Sequence, residues 1–383
     1  MKVLLVTRIF SPEAAAASFR LSALVGELAR RAIPVTVLTS TPPARLKVPA
    51  APAGVTVRRA RVLRDRTGYL RGYLPYASFD IPAFFRVLFA RRSDVVVVEP
   101  PPTTGFAVRL ASALRRTPYV YYAADIWSDA ASSTGAPGIV IAFVRWVERR
   151  ALRGARAVIA VSAGVADRVL ALAPHAQVEV VPNGVDTDVF TAQGPIVEDA
   201  AWGVYAGTAS EWQGADVFIR AMPSVRRALP DATIAFIGQG SAWAELRALA
   251  DQVAPGAVRF IDAVPAADAA SHLRSARAGL VSLRPGQGYD FAVPTKIFAA
   301  AATGTPVLFA GPGPANAVIA DAGLGVAVAF DEDAVAHAMV DLFGAPASAD
   351  DRARRAERVA TEFSSEARAA DAADAVIDAA RAT

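Results

Sequence analysis

The sequence predicts an α/β fold made of two doubly wound, Rossmann-like domains that face a cleft. Short, continuous apolar runs such as Val3–Thr7 and Val95–Val98 have the character of parallel strands that are covered on both faces. Stretches with helical spacing separate these runs, and the alternation occurs twice along the chain. The length of 383 residues also exceeds what one hydrophobic core usually organises. We therefore expect two α/β domains.

The composition is that of a folded globular protein. Hydrophobic residues make up 54%, charged residues 20%, and the net charge is +4. The chain has no cysteine and three histidines, which excludes disulfides and disfavours a Cys/His metal site. This pattern fits a reducing cytoplasm. The apolar run at the N-terminus is too short for a signal peptide and is interpreted as the first strand.

The first domain is predicted to span residues 1–190. Ser18–Arg31 has helical spacing between the strands Val3–Thr7 and Val35–Leu38, which gives a βαβ unit. The later elements of this half are the strands Val95–Val98, Tyr119–Tyr122 and Ala157–Val161, the helix Ile139–Leu152, and a helix capped by Ser162.

The second domain is predicted to span residues 196–365. The predicted elements are strands at 203–207, 233–238, 258–261, 279–283 and 325–328, and helices at 215–229, 242–252 and 266–275. A last segment, 366–383, is predicted to be a helix that can pack across the domain junction. The uncharged stretch 297–320 is long enough for a membrane span, but three prolines and three glycines interrupt it.

The segment Arg284–Phe309 predicts an anion site in the second domain. A glycine-rich loop leads to Thr295, which can cap a helix, and Lys296 lies in the first turn of that helix. Helix N-termini bind anions through unpaired N–H groups and the helix dipole, and the lysine adds a full charge. The alternative interpretation is a solvated lysine beside a buried helix.

A basic and aromatic segment follows the second strand. Arginines occur at 58, 59, 61, 64, 66 and 71 against one acid, Asp65, and the apolar stretch 81–92 comes after them. Such a surface suits an anionic membrane or an acidic acceptor. The alternative is a solvated strand followed by an ordinary core helix. Neither the charge nor a motif supports nucleic-acid binding.

Six segments in order carry a resemblance to a known family. They are SPEAAAASFR (11–20), AADIWSDAA (123–131), VIAVSAGVADRVL (158–170), VVPNGVDTDVF (180–190), YAGTASEWQGADVFIRAM (205–222) and PTKIFAAAATGTPVLF (294–309). The chain resembles the retaining glycosyltransferases of family 4, which have the GT-B architecture, and within them the fucosaminyltransferase-like branch. The resemblance implies transfer of a hexosyl or N-acetylhexosaminyl group from a nucleotide sugar, a substrate rather than a cofactor, to a glycan, lipid-linked or small-molecule acceptor.

The resemblance also implies roles for particular residues. It assigns Asp125 and Lys296 to catalysis. Donor binding falls to Gly207, Thr208, Ser210, Gln213, Gly238, Arg284 and Thr295, and the acceptor side to Glu13, Arg20 and Trp127. Arg8 is a further candidate cation at the donor. Glu13 as a helix cap and Arg20 as a surface charge are the alternatives.

The sequence departs from the family pattern at the donor site. An Arg and a Lys are expected in the loop after the first strand of the second domain, where Ser210 and Gln213 stand instead. Two expected glutamates are replaced by Phe291 and Ala299, and two expected glycines in the first loop by Ala15 and Ala16. More of the phosphate neutralisation is therefore expected from Lys296.

No metal is predicted, because GT-B enzymes resemble one another in using basic side chains and helix termini. The DTD at 186–188 belongs to a linker turn, and the DED at 331–333 is interpreted as a helix start. Two alternatives to a transferase stay open. One is a non-catalytic GT-B subunit that binds or activates a partner enzyme, and the other is a nucleotide-sugar epimerase.

Overall fold

The computed structural model describes residues 1–13, 15–44, 46–64, 73–133 and 137–382. The chain forms two compact units. The first unit comprises Met1–Asn183 with Glu366–Thr383, and the second comprises Gly184–Ser365. Residues 184–190, placed in the first domain by the sequence analysis, thus belong to the second unit.

The first unit contains a parallel sheet of seven strands. Its order is β3-β2-β1-β4-β5-β6-β7, and every pair of neighbours is parallel. The elements are β1 (Val3–Val6), α1 (Ala16–Arg30), β2 (Val35–Ser40), β3 (Val55–Ala60), α2 (Tyr73–Leu88), β4 (Val95–Val98), α3 (Pro102–Arg115), β5 (Tyr119–Ala123), α4 (Trp127–Ser133), α5 (Gly138–Gly154), β6 (Ala157–Ala160), α6 (Ala163–Leu172) and β7 (Val178–Val180).

Helices cover both faces of this sheet, which explains the continuous apolar strands. The four valines of β4 are all 0% exposed, and full burial of a valine stabilises the fold by about 1.5–3 kcal/mol. Right-handed crossovers place α2, α3, α5 and α6 on one face, because they connect strands that advance in one direction along the sheet. α1 lies on the other face, where its apolar side packs with Ala372–Ala379 of the C-terminal helix.

The second unit contains a parallel sheet of six strands in the order β10-β9-β8-β11-β12-β13. Its elements are β8 (Gly203–Thr208), α7 (Asp216–Ala228), β9 (Ile234–Gln239), α8 (Trp243–Val253), β10 (Val258–Asp262), α9 (Ala266–Ser275), β11 (Ala278–Ser282), α10 (Thr295–Ala302), β12 (Val307–Ala310), α11 (Ala315–Asp321), β13 (Gly325–Val328), α12 (Glu332–Gly344) and α13 (Ala349–Glu362). The last helix, α14 (Ser365–Arg381), returns to the first unit.

The predicted fold class is confirmed, since both units are Rossmann-like parallel sheets with alternating helices. Several predicted details are confirmed as well. Ser162 caps α6 by accepting from the Val165 N–H, and Asp331 caps α12 by accepting from the Ala334 N–H. Thr295 as a cap was wrong, because the N-cap position is Pro294 and α10 begins at Thr295. No described helix is long and apolar enough to cross a membrane.

Candidate functional site

Glycines at the carboxyl ends of β8 and β9 allow these two strands and the side chain of Lys296, on α10, to lie very close together. Gly207 has φ +120°, and a Cβ there would lie 2.9 Å from Cε of Lys296. Gly238 has φ +141°, and its Cβ would lie 2.2 Å from the Gly207 carbonyl oxygen. A side chain at either position would be both strained and obstructed. The structure thus brings Lys296, predicted to be catalytic, together with Gly207, Thr208 and Gly238, predicted to bind the donor; those roles stay predictions.

Lys296 reaches from the first turn of α10 to the end of β8. Its Nζ lies 2.6 Å from the Tyr205 hydroxyl and also donates to the Thr208 carbonyl oxygen. The Tyr205 hydroxyl donates in turn to the same carbonyl, at 3.0 Å. An ammonium group has three N–H donors. Among the described residues, two of these donors have hydrogen-bond partners, and Nζ also lies 4.2 Å from the centroid of the Tyr205 ring.

The surroundings of Lys296 disfavour its charge. It lines a cavity of about 130 Å³ whose other lining residues are mainly apolar, including Phe190, Leu280 and Ala300. Burial lowers the pKa of Lys296 to about 7. No carboxylate among the described residues forms an ion pair with it. An anion bound beside Nζ would raise that pKa again and favour the charged form.

The loop after β8 is closed by its own side chains. The Ser210 N–H donates to the Gln213 side-chain oxygen at 2.9 Å, and the Gln213 N–H donates to the Ser210 carbonyl at 3.0 Å. Gln213 is buried. Ser210 and Gln213, the two positions at which the resemblance led us to expect an Arg and a Lys, therefore hold the loop rather than extend from it.

Arg284 is engaged by the start of α7. Its guanidinium pairs with Asp216, and Nε lies 3.4 Å from the Glu211 carbonyl oxygen. Trp212 of the same loop stacks on Tyr289, with ring centroids 4.3 Å apart. Arg284 and the Trp212–Tyr289 pair thus connect the loop after β8 to the loop after β11. Thr295, the remaining donor-side candidate, is exposed at the start of α10.

In the first unit, Arg20 is built into a buried network. It pairs with Glu99 at the end of β4, donates to Asn183 Oδ1 at 2.8 Å, and its guanidinium lies 5.0 Å from the Tyr122 ring centroid. Burial raises the pKa of Glu99, and the charge of Arg20 opposes that rise. Arg20 is therefore not the free surface charge of the alternative interpretation.

Asp125 and Trp127 follow the carboxyl end of β5. The Asp125 side chain reaches solvent, yet the surrounding protein raises the pKa of its carboxyl, while the charge of Arg20 lowers it. The N–H groups of Trp127 and Ser128 donate to the two Glu148 oxygens at 2.8 and 3.1 Å. The Trp127 ring packs edge-on against Tyr76, and Arg8 lies 4.0 Å from the Tyr76 ring centroid.

Glu13 forms an ion pair with Arg64. It accepts from Arg64 at 2.8 and 3.0 Å. The N-cap of α1 is Ala15, so Glu13 as a cap was wrong. Of the predicted basic segment, residues 65–72 lie outside the described residues. Arg59 of this segment donates to the Ser11 carbonyl at 2.6 Å. The exposed arginines in the described part of the segment are Arg58 and Arg61.

The two aspartate pairs have structural partners. Asp186 accepts from the N–H groups of Asp188 and Val189 in a turn, and Asp331 is the cap of α12. Among the described residues, no three or more His, Asp or Glu side chains are grouped in a way that could hold a metal ion.

Sequence reasoning missed three buried residues that bind the predicted site residues: Tyr205 contacts Lys296, Glu99 pairs with Arg20, and Glu148 accepts from the Trp127 N–H. Tyr205 belongs to an apolar run and is buried, and Glu99 and Glu148 are also buried. The one available signal was an acid at the end of an all-valine strand, Glu99 after β4, because such a carboxylate needs a buried partner.

Three comparisons with known proteins describe the chain further. Residues 16–184 match the family model described as glycosyl transferase 4-like domain, and residues 201–344 match glycosyl transferases group 1. A curated relative from Mycolicibacterium smegmatis, a GDP-mannose-dependent alpha-(1-6)-phosphatidylinositol monomannoside mannosyltransferase, is 30% identical over 189 residues, or 46% of this chain. The match spans about half, 50%, of that relative's length.

Two solved structures share the fold over the full length. Sucrose-phosphate synthase from Thermosynechococcus elongatus has a TM-score of 0.76 at 16% identity, with 100% of both chains covered. HepE from Anabaena, solved in complex with UDP, has a TM-score of 0.72 at 16% identity, covering 99% of this chain and 100% of HepE.

Proposed function

Because the chain belongs to the glycosyltransferases of GT-B architecture, we propose that it transfers a sugar from a nucleotide-sugar donor to a glycan, lipid-linked or small-molecule acceptor, with retention and without a metal ion. The observation that carries the proposal is the Lys296 ammonium group, which lies at the β8 terminus with no ion-pair partner among the described residues. The fucosaminyltransferase-like branch is our proposal for its place in family 4.

The chemistry of the donor fits this site. Breaking the bond between the anomeric carbon and the diphosphate leaves negative charge on the phosphate oxygens. Lys296 and the positive end of the α10 dipole can stabilise that charge, and they require no metal for it. The mycobacterial relative is named as GDP-mannose-dependent, and HepE was solved in complex with UDP, so a nucleoside diphosphate is part of the ligand named for each of these two similar proteins.

The acceptor side is proposed to be the cluster at the carboxyl ends of β4 and β5. Asp125 is a carboxylate with solvent access and a raised pKa, which suits a group that orients or deprotonates a hydroxyl. The charge of Arg20, which is paired with Glu99, limits the rise in the pKa of Asp125. Trp127, two residues after Asp125, supplies an aromatic ring that packs against Tyr76. We propose no cofactor.

The alternative of a non-catalytic GT-B subunit rests on the loop after β8. Ser210 and Gln213 bind each other, so the charges that relatives place there are replaced by a closed turn. A subunit of this kind would bind a donor without hydrolysing or transferring it. The epimerase alternative has no comparable support in the site.

We also propose a cytoplasmic location with peripheral attachment to the inner face of the membrane. Support comes from the arginine-rich segment that begins at Arg58 and from the lipid acceptor named for the mycobacterial relative. Attachment of this kind needs surface side chains rather than a spanning helix.

The test is release of nucleoside diphosphate from a panel of nucleotide sugars, with and without lipid-linked acceptors. We expect release that persists after exhaustive chelation. Binding by calorimetry without release from any donor would favour the non-catalytic subunit. Activity that EDTA abolishes and magnesium or manganese restores would contradict the metal-free assignment.

A further inference from the structure

Three neighbouring helices of the first unit form a continuous outer layer. α2 packs against α3, and α3 packs against α5, on one face of the seven-stranded sheet. α3 and α5 approach closely at Gly105, where a Cβ would lie 3.1 Å from Cβ of Ala151. The side of these helices that faces away from the sheet is here called the outer face of α2, α3 and α5.

The outer face is unusually apolar. More than half of the large hydrophobic side chains that are exposed in the described residues lie on these helices or directly after α2. They are Leu74, Ile81, Phe85 and Phe89 along α2, Leu110 and Leu114 on α3, and Ile139, Phe143 and Trp146 on α5. Phe89 is 79% exposed and Ile139 82%. Large exposed apolar patches mark interaction surfaces, because leaving them in water is costly.

The spacing shows that these side chains form stripes. Ile81, Phe85 and Phe89 are separated by four residues, as are Leu110 and Leu114. On α5, Phe143 and Trp146 stack with ring centroids 6.4 Å apart, and Trp146 contacts Phe106 of α3 at 5.5 Å. The apolar side chains therefore continue from one helix to the next.

The exposed charges on the same helices all have one sign. α2 has one acid, Asp80, and α5 has one, Glu148, and both are buried. Asp80 accepts from the Thr104 hydroxyl, and Glu148 from the N–H groups at the start of α4. α3 has no acid. Arg145, Arg149 and Arg153 of α5 are exposed and form no ion pair with described residues.

Further arginines surround an open depression at one end of this layer. It has a volume of about 450 Å³ and lies where α3 and α5 end, with Arg109, Arg116 and Arg156 among its lining residues. Leu114 and Arg153 lie beside it in sequence. The depression is large enough for a phosphate-bearing headgroup, and its charge is complementary to one.

We propose that the outer face of α2, α3 and α5 docks on an anionic lipid bilayer, with the apolar stripes in the headgroup region and the arginines at lipid phosphates. This inference rests on the proposed peripheral attachment and names its surface. It places the contact on α3 and α5 as well as α2, whereas Arg59 and Arg64 of the predicted basic segment bind the protein itself. A second copy of the face is disfavoured as the occupant, since it would bring arginine against arginine.

The experiment is flotation of the full chain with vesicles of phosphatidylcholine alone or with phosphatidylglycerol. The wild type is expected to float with the anionic vesicles and to be released by high salt. Phe89→Gln/Ile139→Gln/Phe143→Gln should lower the partition coefficient about 10-fold or more. The matched control, Phe19→Gln/Ile196→Gln/Val326→Gln, replaces exposed apolar residues outside the face and should float as the wild type does.

A second pair of variants tests the charges. Arg149→Glu/Arg153→Glu should weaken anionic-vesicle binding by roughly fivefold or more for each residue. Arg226→Glu/Arg227→Glu, at the end of α7 in the second unit, should leave binding unchanged. Melting temperatures of all four variants report whether they fold.

Three outcomes would overturn the docking proposal. They are equal binding to neutral and anionic vesicles, wild-type flotation by the folded face variants, and wild-type dimerisation in light scattering that the face variants abolish. Flotation needs neither donor nor acceptor. A protein that floats as expected but releases no nucleoside diphosphate would therefore contradict the proposed function alone.

Discussion

The two units share a strand order, apart from the additional strand β7 of the first, but they differ in how charged side chains are paired. In the first unit, Arg20 and Glu99 form a buried ion pair, and Glu148 is held by backbone N–H groups. In the second, Lys296 is surrounded by apolar groups and neutral oxygens, and its charge has no partner among the described carboxylates. The charge of Arg20 is thus balanced within the protein, whereas no described carboxylate balances the charge of Lys296. A doubly wound sheet fixes where a site lies, and the side chains decide whether it is preorganised or awaits its ligand.

Outer surfaces differ in the same way. In the described part of the second unit, the exposed large hydrophobic residues are Ile196 and Val326, whereas the first unit carries the stripes on α2, α3 and α5. The same fold can therefore present either a polar exterior or an apolar, cationic one.

The largest effect is expected from breaking the pair in the first unit. Arg20→Ala leaves the buried Glu99 carboxylate without its partner, which should cost about 3–5 kcal/mol of folding free energy. Urea unfolding measures it. The double variant Arg20→Met/Glu99→Gln removes both charges and should recover much of the loss. A loss below about 1 kcal/mol in Arg20→Ala would show that the pair does not hold the unit together.

In the second unit, replacing Lys296 should lower turnover without lowering stability. Lys296→Met should lower the turnover number by about two to three decades, because a charge aimed at the leaving diphosphate typically contributes on the order of 3–4 kcal/mol. Its melting temperature should be unchanged or higher at pH 7, since burying an unpaired cation is costly. Lys47→Met, at an exposed lysine, is the matched control. Normal turnover in Lys296→Met would remove this residue from the site, and loss of folding would make it structural.

Donor affinity should depend on pH through the same lysine. The pKa of Lys296 is lowered to about 7, so the charged form that binds a diphosphate disappears as the pH rises through that value. Affinity should fall by roughly 10-fold for each pH unit above it, until the pKa of the complex is reached. Calorimetry from pH 6 to pH 9 measures the slope. Lys296→Arg, which keeps its charge, should show a flat profile, and a flat wild-type profile would contradict the assignment.

The same lowered pKa of Lys296 also predicts how the folding stability depends on pH. The folded pKa of Lys296 lies below the unfolded value of 10.5, so between about 7 and 10.5 the unfolded state binds more protons. The wild type should therefore gain stability relative to Lys296→Met as the pH rises through this window. A difference between the two proteins that does not change with pH would exclude an unpaired buried lysine.

The smallest effect is expected at Arg284. Its ion pair with Asp216 is partly exposed, and such pairs contribute about 0–1 kcal/mol. Because Asp216 already binds its guanidinium, Arg284→Ala should reduce turnover less than Lys296→Met does. A loss equal to that of Lys296→Met would place Arg284 on the phosphate.

How far the sequence predicts the structure differs between the backbone and the side chains. The strand Val95–Val98 follows from a continuous apolar run. The start of α10 follows from the glycine- and proline-containing loop that precedes it. The partners of side chains do not follow, because they depend on contacts distant in sequence. Arg20 and Asn183 are joined across 163 positions, and Lys296 and Tyr205 across 91. Arg284 was predicted to face phosphate, yet its ion pair with Asp216 has no local signal.

The helix α5 has two sides with different tasks. Its buried side supplies Glu148, which binds the start of α4 directly after the loop that carries Asp125, and its outer side carries Ile139, Phe143 and Trp146. If the outer face rests on a bilayer, this single helix is a spacer about 10–12 Å thick between the lipid surface and that loop. If Asp125 also orients the acceptor, as proposed above, the acceptor hydroxyl would have to lie at least one helix diameter from the lipid phosphates. The two proposals together would then favour acceptors whose sugar is carried on a long headgroup.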